Sequence, residues 1–450
     1  MKTPAFLLTL LLAALASPAT HAQEPASWKF SFGSGIAASY AASDAARAAS
    51  DAAGFTPVAP TAVYSKDIGY GFEPGANVTT SASGVVSERP FYFSVALPEG
   101  NFQVTVTLGD PSGPSNTTVK SESRRLMLQN VPIPAGQSVT RTFIVNTRTP
   151  ALPPVPRNAP GGDAVRLDQF DQGSLDWDDK LTLEFNGYRP SVQSIAITPA
   201  NNLPTVFLAG DSTVTDQGSE PGASWGQMLP RFLKPNVAVA NHAQSGETLK
   251  TFLTALRLDK ILSQMKAGDY LFIQFCHNDE KASWPQSYVT ADATYPAYLK
   301  AYIAEARRRG ATPVLVTPMQ RLNFDAEGHV TNSHGGYPDA MRLVAQEENV
   351  PLIDLEKMSR AFYEANGAAN YTLISRDRTH ETGYGAYELA KCIVLGIQQN
   401  KLGLANSIVD DFGPFDPAHP DPVANVNIPA SPRRNTLPPA AESPASPPTR

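Results

Sequence analysis

The stretch Thr205-Val206-Phe207-Leu208-Ala209-Gly210-Asp211-Ser212 decides the fold of the second half of this chain. Its apolar run is short and ends at a glycine, so it predicts a buried strand that breaks into a tight turn. In open sheets of parallel strands, ligands bind beyond the carboxyl ends of the strands. The hydroxyl of Ser212 is therefore predicted to lie at the functional edge of such a sheet.

Similar strand-like runs follow this stretch and alternate with helical patterns. The runs are Val237–Ala240, Tyr270–Phe275, Pro313–Thr317 and Pro351–Leu355, and the longest helical patterns are Tyr295–Arg309 and Tyr337–Glu348. This repetition predicts an α/β fold with a mostly parallel five-stranded sheet covered by helices on both faces. We assign residues 201–412 to this domain.

The first half of the chain has a different spacing of apolar residues. In residues 23–200 apolar and polar residues alternate over short runs, as at Phe102, Val104, Val106 and Leu108. Such alternation predicts an antiparallel β-sandwich domain. The proline-rich stretch 149–162 is interpreted as a loop inside it, because a strand-like run follows. The alanine-rich stretch 38–53 fits either a surface helix or an ordered loop.

The two ends of the chain have their own compositions. Residues 1–22 have the pattern of a signal peptide, with one lysine, an apolar core over 5–16 and small residues before Gln23. That core is shorter than the roughly 20 residues of a spanning helix, so we expect a secreted or periplasmic protein without a membrane span. Residues 413–450 are rich in proline, alanine and serine, which predicts a disordered tail.

Composition limits the function classes. A net charge of −6, a pI of about 5.7 and the lack of a basic stripe argue against a nucleic-acid partner. The two cysteines, Cys276 and Cys392, are too few for a disulfide framework. They fit one bridge or, as we expect, two buried thiols. Apart from His380, which is discussed below, the histidines show no spacing to cysteines or carboxylates that would indicate a zinc site. We therefore expect no metal and no cofactor.

Asp377 and His380 stand three residues apart, just before the last helical pattern. A serine hydroxyl is a poor nucleophile unless a base takes its proton and a carboxylate orients that base. In one loop, Asp377 can bind one ring nitrogen of His380 while the other nitrogen faces Ser212. The alternative is an aspartate that caps the following helix beside a solvent-facing histidine. With Ser212, the pair predicts a Ser-His-Asp hydrolase.

An oxyanion intermediate needs preorganised hydrogen-bond donors. The amide of Gly246 follows the second strand of the α/β domain, and the side chain of Asn278 follows the third. Taken singly, Gly246 fits a turn glycine and Asn278 fits a turn former or a helix cap. All these segments, however, end at one edge of the predicted sheet, so their coincidence favours a catalytic site.

The segments AGDST, NHAQSGET, QFCHNDEK and DRTHETGYGA resemble the four blocks of the SGNH, or GDSL-type, hydrolases, with the closest likeness to rhamnogalacturonan acetylesterases. The resemblance covers roughly residues 203–402. It implies a flavodoxin-like three-layer αβα fold, with Ser212 as nucleophile, His380 as base and Asp377 as its partner. It also implies an oxyanion hole formed by the amides of Ser212 and Gly246 and the side chain of Asn278.

Two positions depart from the pattern of this family. Cys276 stands where glycine is usual, and Glu247 stands where arginine is usual. The thiol would narrow the pocket, and a carboxylate at 247 would repel an acidic sugar. The front domain resembles galactose-binding-like sandwiches, and the aromatic residues of Tyr64–Phe72 either stack on sugars or, as we favour, pack inside the protein.

A second serine lies in a competing motif. Residues 222–226 match G-x-S-x-G, the nucleophile elbow of another hydrolase fold, which requires a strand directly before it. A polar loop precedes this motif instead, so Ser224 is predicted to start a helix.

The sequence and its resemblance to this family therefore predict an exported carbohydrate esterase that deacetylates a plant cell-wall polysaccharide, and the resemblance implies pectic rhamnogalacturonan as the polymer. Alternatives are an esterase for acetylated xylan or another glycan, a lipase or thioesterase of the same superfamily, and an inactive carbohydrate-binding protein whose oxyanion hole is blocked by Cys276. The expected partner is an acetylated polysaccharide or oligosaccharide. The sequence identifies no partner protein.

Overall fold

The computed structural model describes residues 27–33, 54–156 and 160–433. In chain order, the strands of the first half are β1 (Trp28–Phe32), β2 (Thr56–Val58), β3 (Tyr70–Phe72), β4 (Thr79–Thr80), β5 (Val85–Val86), β6 (Phe91–Ala96), β7 (Gly100–Leu108), β8 (Ser115–Ser121), β9 (Arg125–Ile133), β10 (Val139–Thr147), β11 (Lys180–Tyr188), β12 (Ser191–Val192) and β13 (Ser194–Pro199). They form two five-stranded sheets, ordered β10-β7-β13-β1-β2 and β3-β6-β11-β8-β9, and a small sheet of β12-β5-β4.

The two larger sheets pack face to face as a β-sandwich, as predicted. Phe102, Val104 and Val106 on β7 point inward and are buried, while Gln103 between the first two is exposed. This alternation places one apolar row per strand in the core. The pairing is antiparallel except between β1 and β2, which run parallel.

The aromatic segment Tyr64–Phe72, which ends in β3, contributes to this core. Phe72 is buried and lies 5.3 Å from Phe93 and 5.7 Å from Phe32, measured between ring centroids. The packing interpretation of Tyr64–Phe72 therefore holds for Phe72. The stretch 38–53 and the predicted signal peptide, residues 1–22, lie outside the described residues.

The second half contains a parallel sheet covered by helices, which confirms the predicted α/β fold. Its strands are β14 (Thr205–Gly210), β15 (Ala238–Asn241), β16 (Tyr270–Gln274), β17 (Thr312–Val316) and β18 (Leu352–Ile353), ordered β15-β14-β16-β17-β18. Its helices are α1 (Trp225–Met228), α2 (Leu249–Thr254), α3 (Arg257–Gln264), α4 (Thr294–Arg308), α5 (Tyr337–Glu347), α6 (Leu355–Asn366), α7 (Tyr371–Ile374) and α8 (Gly383–Gln399). All four strand pairings are parallel.

Each face of this sheet has its own apolar core. Alternate residues of β14 point to opposite faces, so Val206 and Leu208 join one core, while Phe207 and Ala209 join the other. The buried Trp225 and α8 contribute to the first core, and α4 and α5 contribute to the second. Burial on both faces explains why the strands read as continuous apolar runs. Within the described residues, no helix has the length and apolar character to cross a membrane.

The structure corrects the prediction of a disordered tail for residues 413–433. The buried ammonium of Lys120 on β8 donates hydrogen bonds to the carbonyl of Pro429 at 2.6 Å and to the hydroxyl of Ser431 at 2.8 Å. The hydroxyl of Tyr384 on α8 donates to the carbonyl of Asp421 at 2.9 Å. The tail satisfies buried polar groups of both halves, a role that its composition does not reveal. Residues 434–450 lie outside the described part.

The long connection between β10 and β11, described at residues 148–156 and 160–179, leaves the sandwich and crosses onto the α/β half. The amide of Arg166 donates to the carbonyl of Ala255 at 3.0 Å, and Asp171 forms an ion pair with the buried Arg257 of α3. The connection therefore forms a shared border between the two halves, at the carboxyl edge of the parallel sheet.

Candidate active site

Ser212 lies in the turn that follows β14. Gly210 closes the strand where a side chain has no room, because an added Cβ would lie 2.6 Å from Cγ2 of Val214 and 2.9 Å from the carbonyl oxygen of Gln274. Asp211 braces the turn, since its Oδ1 accepts hydrogen bonds from the amide of Thr213 at 2.9 Å and from its hydroxyl at 2.7 Å. The serine is thus held rigidly at the sheet edge.

Asp377 and His380 share a tight loop between α7 and α8. One carboxylate oxygen of Asp377 accepts the amides of Thr379 at 3.0 Å and His380 at 2.8 Å. The carbonyl of His380 accepts the hydroxyl of Ser375 at 2.8 Å and the amide of Arg376 at 3.0 Å. These bonds fix both side chains before any ligand binds.

The structure brings the three residues predicted from the sequence into one hydrogen-bonded row. Nδ1 of His380 lies 2.7 Å from Oδ2 of Asp377, and Nε2 of His380 lies 2.9 Å from Oγ of Ser212. Burial raises the pKa of Asp377, but hydrogen bonds from the backbone and ring of His380 outweigh it and hold that pKa below its usual range. An ionised Asp377 favours the tautomer with a proton on Nδ1, which leaves Nε2 free to accept from Ser212.

Gly246 and Asn278 line the same cavity as Ser212 and His380. Gly246 has a φ of +84°, a left-handed conformation that favours glycine. The side-chain amide of Asn278 donates one N–H to the carbonyl of Glu247 at 3.0 Å, and its oxygen accepts from Lys281 at 2.8 Å. These bonds fix the amide and leave its second N–H available to a ligand.

The cavity has a volume of about 470 Å³ and is lined by both halves of the molecule. The α/β half supplies the residues predicted from the sequence. The sandwich half supplies residues that the sequence did not reveal, namely Ser123, Arg148, Phe170, Asp171, Ser174, Asp176 and Trp177. They come from the β8–β9 turn and the β10–β11 connection. The one local signal for these residues is that the stretch 168–179, inside the sandwich domain, is rich in acidic and aromatic residues. Nothing in this stretch indicates which surface of the α/β half it contacts.

The two positions that depart from the family pattern do not border the cavity. The carboxylate of Glu247 is nearly buried and lies 3.3 Å from Nε of Arg257, so it is turned away from a ligand. Cys276 is buried with its Sγ 3.5 Å from Nδ1 of His334, and both cysteines are free thiols. The expectation of two buried thiols is confirmed.

Cys276, Glu280 and His334 bring three possible metal-ligand atoms within 4.8 Å of one another, a grouping that sequence spacing did not indicate. Their polar atoms already have partners, however. Arg321 lies 2.5 Å from one oxygen of Glu280, and His334 lies 2.9 Å from the other through Nδ1. Since the guanidinium of Arg321 would repel a second cation, we assign this cluster a structural role.

Ser224 begins α1, as predicted. Its hydroxyl accepts the amide of Gln227 at 3.2 Å and donates to the carbonyl of Val214 at 2.8 Å. A helix cap explains this serine fully. Two histidines near the site are also internal: burial lowers the pKa of His277 to about 4, and His242 packs beneath Trp177 at 5.8 Å between ring centroids.

Comparison with known proteins identifies the family of this chain. Residues 208–386 match the model of the GDSL-like lipase/acylhydrolase family. Over 213 residues the chain is 40% identical to YesY of Bacillus subtilis, named a probable rhamnogalacturonan acetylesterase, a match that covers 46% of this chain and 98% of YesY. The chain belongs to the GDSL-like lipase/acylhydrolase family.

Two other relatives extend the comparison of this GDSL-like hydrolase. RhgT of Bacillus subtilis, named a rhamnogalacturonan acetylesterase, is 38% identical over 225 residues, which cover 46% of this chain and 95% of RhgT. YxiM of Bacillus subtilis, named an esterase, is 27% identical over 410 residues, which cover 86% of this chain and 95% of YxiM. Its crystal structure covers 84% of this chain and 99% of that chain, with a TM-score of 0.44 and 24% identity.

The GDSL-like hydrolase described here is an esterase, because its family is hydrolytic and its relatives are named acetylesterases. Because the relatives are named rhamnogalacturonan acetylesterases, it is more narrowly a carbohydrate esterase. The similarity to YxiM spans most of the chain and therefore includes the sandwich, whereas the matches to YesY and RhgT cover less than half.

Proposed function

We propose that this GDSL-like hydrolase is an exported acetylesterase that removes acetyl groups from rhamnogalacturonan by Ser-His-Asp catalysis. The observation that carries this proposal is the row of hydrogen-bonding distances from Asp377 through His380 to Ser212, 2.7 Å and 2.9 Å, which opens into the shared cavity. Each step of acyl transfer has a group in reach.

In the first half-reaction, Oγ of Ser212 attacks the acetyl carbonyl carbon while Nε2 of His380 takes the hydroxyl proton. Asp377 stabilises the resulting imidazolium. The oxyanion lies among the amides of Ser212 and Gly246 and the free N–H of Asn278. When the intermediate collapses, the C–O bond to the sugar breaks, and the sugar oxygen leaves with the proton from His380.

In the second half-reaction, water attacks the acetyl-Ser212 ester and gives its proton to His380. A second tetrahedral intermediate uses the same donors. Its collapse breaks the bond to Oγ, returns the proton to Ser212 and releases acetate. The cycle needs only groups of this chain and one water molecule, and both half-reactions use one base in alternating protonation states.

The cavity wall supports a carbohydrate rather than a long acyl chain. Among its lining residues, polar and charged groups outnumber apolar ones. The large apolar members are Trp177, which is buried, and Phe170 and Trp284, which have 65% and 44% of their surfaces exposed. Exposed aromatic rings beside a polar cavity are typical of a binding rim. A lipase would need a continuous apolar lip around Ser212. Cys276 lies outside the cavity lining, so it does not block the donors.

The test is acetate release from acetylated rhamnogalacturonan and acetylated xylan, with p-nitrophenyl acetate and a long-chain ester alongside. We expect rhamnogalacturonan to be the better polymer. Ser212→Ala should lower the rate by at least about 10⁴-fold, and His380→Ala should do nearly the same. Ser224→Ala is the matched serine control and should keep its activity, although it loses a helix cap.

Three outcomes would change the proposal. Wild-type activity in Ser212→Ala would overturn the mechanism. Faster release from xylan would reassign the polymer, and preference for the long-chain ester would reassign the acyl group. Export is tested separately, by finding whether the chain expressed with residues 1–22 is recovered outside the cytoplasm and begins at Gln23.

A further inference from the structure

Arg148 is a buried arginine at the wall of the active-site cavity. It follows β10 at the start of the connection that crosses onto the α/β half, and it lines the cavity together with Ser212 and His380. Only 3% of its surface is exposed, and its guanidinium lies over the ring of Trp177, with Cζ 4.5 Å from the ring centroid. A planar cation is therefore held in the wall of the cavity that contains the reacting serine.

The guanidinium of Arg148 lacks the partners that a buried charge normally has. Its Nε and Nη1 atoms are buried and have no hydrogen-bond partner among the residues that the structure describes. The carboxylates whose charges act on it, Asp176 and Asp216, are both bound by Arg125, at 3.0 Å and 2.6 Å. A buried charge without a partner is costly, so its retention calls for an explanation.

The neighbouring arginines differ from Arg148 in having carboxylate partners, although Nε and Nη1 of Arg257 likewise lack a hydrogen-bond partner in the described part of the chain. Arg125 has two carboxylates and also donates to the carbonyl of Asn146 at 2.7 Å. Arg257, on the same Trp177 ring at 5.5 Å, is paired with Asp171 and Glu247.

Glu122 does not form a hydrogen bond with Arg148. Both of its carboxylate oxygens are buried without a hydrogen-bond partner in the described part of the chain. Burial raises the pKa of Glu122 well above its usual range, which favours the uncharged form of this side chain.

We propose that Arg148 binds the carboxylate of a uronosyl residue next to the acetylated sugar, which makes a residue of the sandwich the determinant of an acidic substrate. The inference rests on the proposed function, because it places the substrate in the cavity of Ser212. The anion would complete the pairing that the protein leaves open. A carboxylate suits this position because the guanidinium is planar and a carboxylate pairs with it in two parallel hydrogen bonds.

Glu247 does not oppose the binding of a uronosyl carboxylate at Arg148. Its carboxylate is paired with Arg257 and lies outside the cavity lining. The acidic residues that do line the cavity, Asp171, Asp176 and Asp216, each form an ion pair with another arginine. Arg376 and Lys281 add further positive charge to the lining.

The first experiment measures thermal unfolding of Arg148→Met beside Arg125→Met. Removing Arg125 leaves two buried carboxylates unpaired and should lower Tm by roughly 5 °C or more. Removing Arg148 deletes an unpaired charge, so Tm should stay at or above the wild-type value. A loss as large as that of Arg125→Met would show that Arg148 is an ordinary structural ion, with Glu122 or another acid as its partner, and would overturn the proposal.

The second experiment measures ligand binding by calorimetry in the Ser212→Ala background, where the substrate stays intact. The ligands are acetylated rhamnogalacturonan oligosaccharides, the same oligosaccharides with their carboxylates reduced to alcohols, and acetylated glucuronoxylan oligosaccharides as a second source of uronate. The acidic form should bind about 10–100-fold more tightly than its reduced counterpart, and Arg148→Met should abolish that ratio. Arg141→Met, on an exposed part of β10, should keep it.

Equal binding of the acidic and reduced oligosaccharides would overturn the inference, and so would an Arg148→Met variant that weakens both equally. Tighter binding of the glucuronoxylan ligand would support the carboxylate site and assign its source to xylan. The proposed function fails separately, if the protein with Ser212 intact releases no acetate from any ester. Binding and turnover therefore test the two claims independently.

Discussion

At the scale of single residues, the candidate site is built by fixing polar groups before a ligand arrives. Asp377 binds two backbone amides besides the ring of His380, and Asn278 is held by the carbonyl of Glu247 and by Lys281. Such preorganisation means that little rearrangement is needed when charge develops in the transition state. The same bonds explain why each of these residues looked ambiguous in the sequence, since they also act as turn formers.

Asn278→Ala tests the role of the amide donor. The donor acts on an oxyanion that exists only in the transition state, so kcat for acetate release should fall by about 10²–10³-fold with KM little changed. Steady-state kinetics on p-nitrophenyl acetate and on the acetylated polymer measure both constants. An increase in KM alone would reassign Asn278 to substrate binding. Unchanged circular dichroism in the variant would rule out a loss of fold.

At the scale of secondary structure, the parallel sheet could be predicted closely because its strands are buried on both faces. Four of the five predicted strands agree with the structure to within one residue at each end. The fifth is shorter than predicted, because Leu355 already begins α6 instead of continuing the strand. An apolar residue at a strand-to-helix junction belongs to either element by composition alone, so the helix start could not be located from the pattern.

Gly210→Ala tests whether the strand-to-turn geometry positions the nucleophile. The added methyl group would meet Val214 and the carbonyl of Gln274, which belongs to the neighbouring strand and cannot move alone. We expect a loss of about 1–3 kcal/mol in stability, seen as a lower Tm, together with a lower kcat. Gly383→Ala at the start of α8 is the control, since its methyl group meets nothing within 4 Å. Wild-type Tm and kcat in Gly210→Ala would show that the turn tolerates a side chain.

At the scale of the whole molecule, the active-site cavity is lined by both halves, and only the lining from the α/β half could be predicted from the sequence. The α/β half carries its site residues at strand ends, where their order along the chain indicates their positions. The wall that includes Arg148 and Trp177 comes from a connection within the sandwich. Its role depends on contacts such as Arg125 with Asp216, 91 positions apart, which a single sequence does not encode in any local pattern.

The tail is the second long-range feature that composition missed, and shortening the chain tests its contribution. A protein that ends at Phe412 should melt several degrees below one that ends at Arg433. Without the tail, the ammonium of Lys120 loses two acceptors, and Glu184 loses the hydroxyl of Ser431, which donates to it at 2.7 Å. Each buried polar group left without a partner costs about 1–3 kcal/mol. Ser431→Ala should show a smaller loss.

The kinetic result separates a bracing role from a catalytic one. Since residues 413–433 lie outside the lining of the active-site cavity, kcat/KM measured well below the melting temperature should be nearly equal in the two proteins. A lower Tm with unchanged kcat/KM would identify the tail as a brace between the sandwich and α8. Equal melting temperatures would mean that the contacts of the tail add no stability. The composition of the tail, which favours disorder, would then predict its behaviour better than these contacts do.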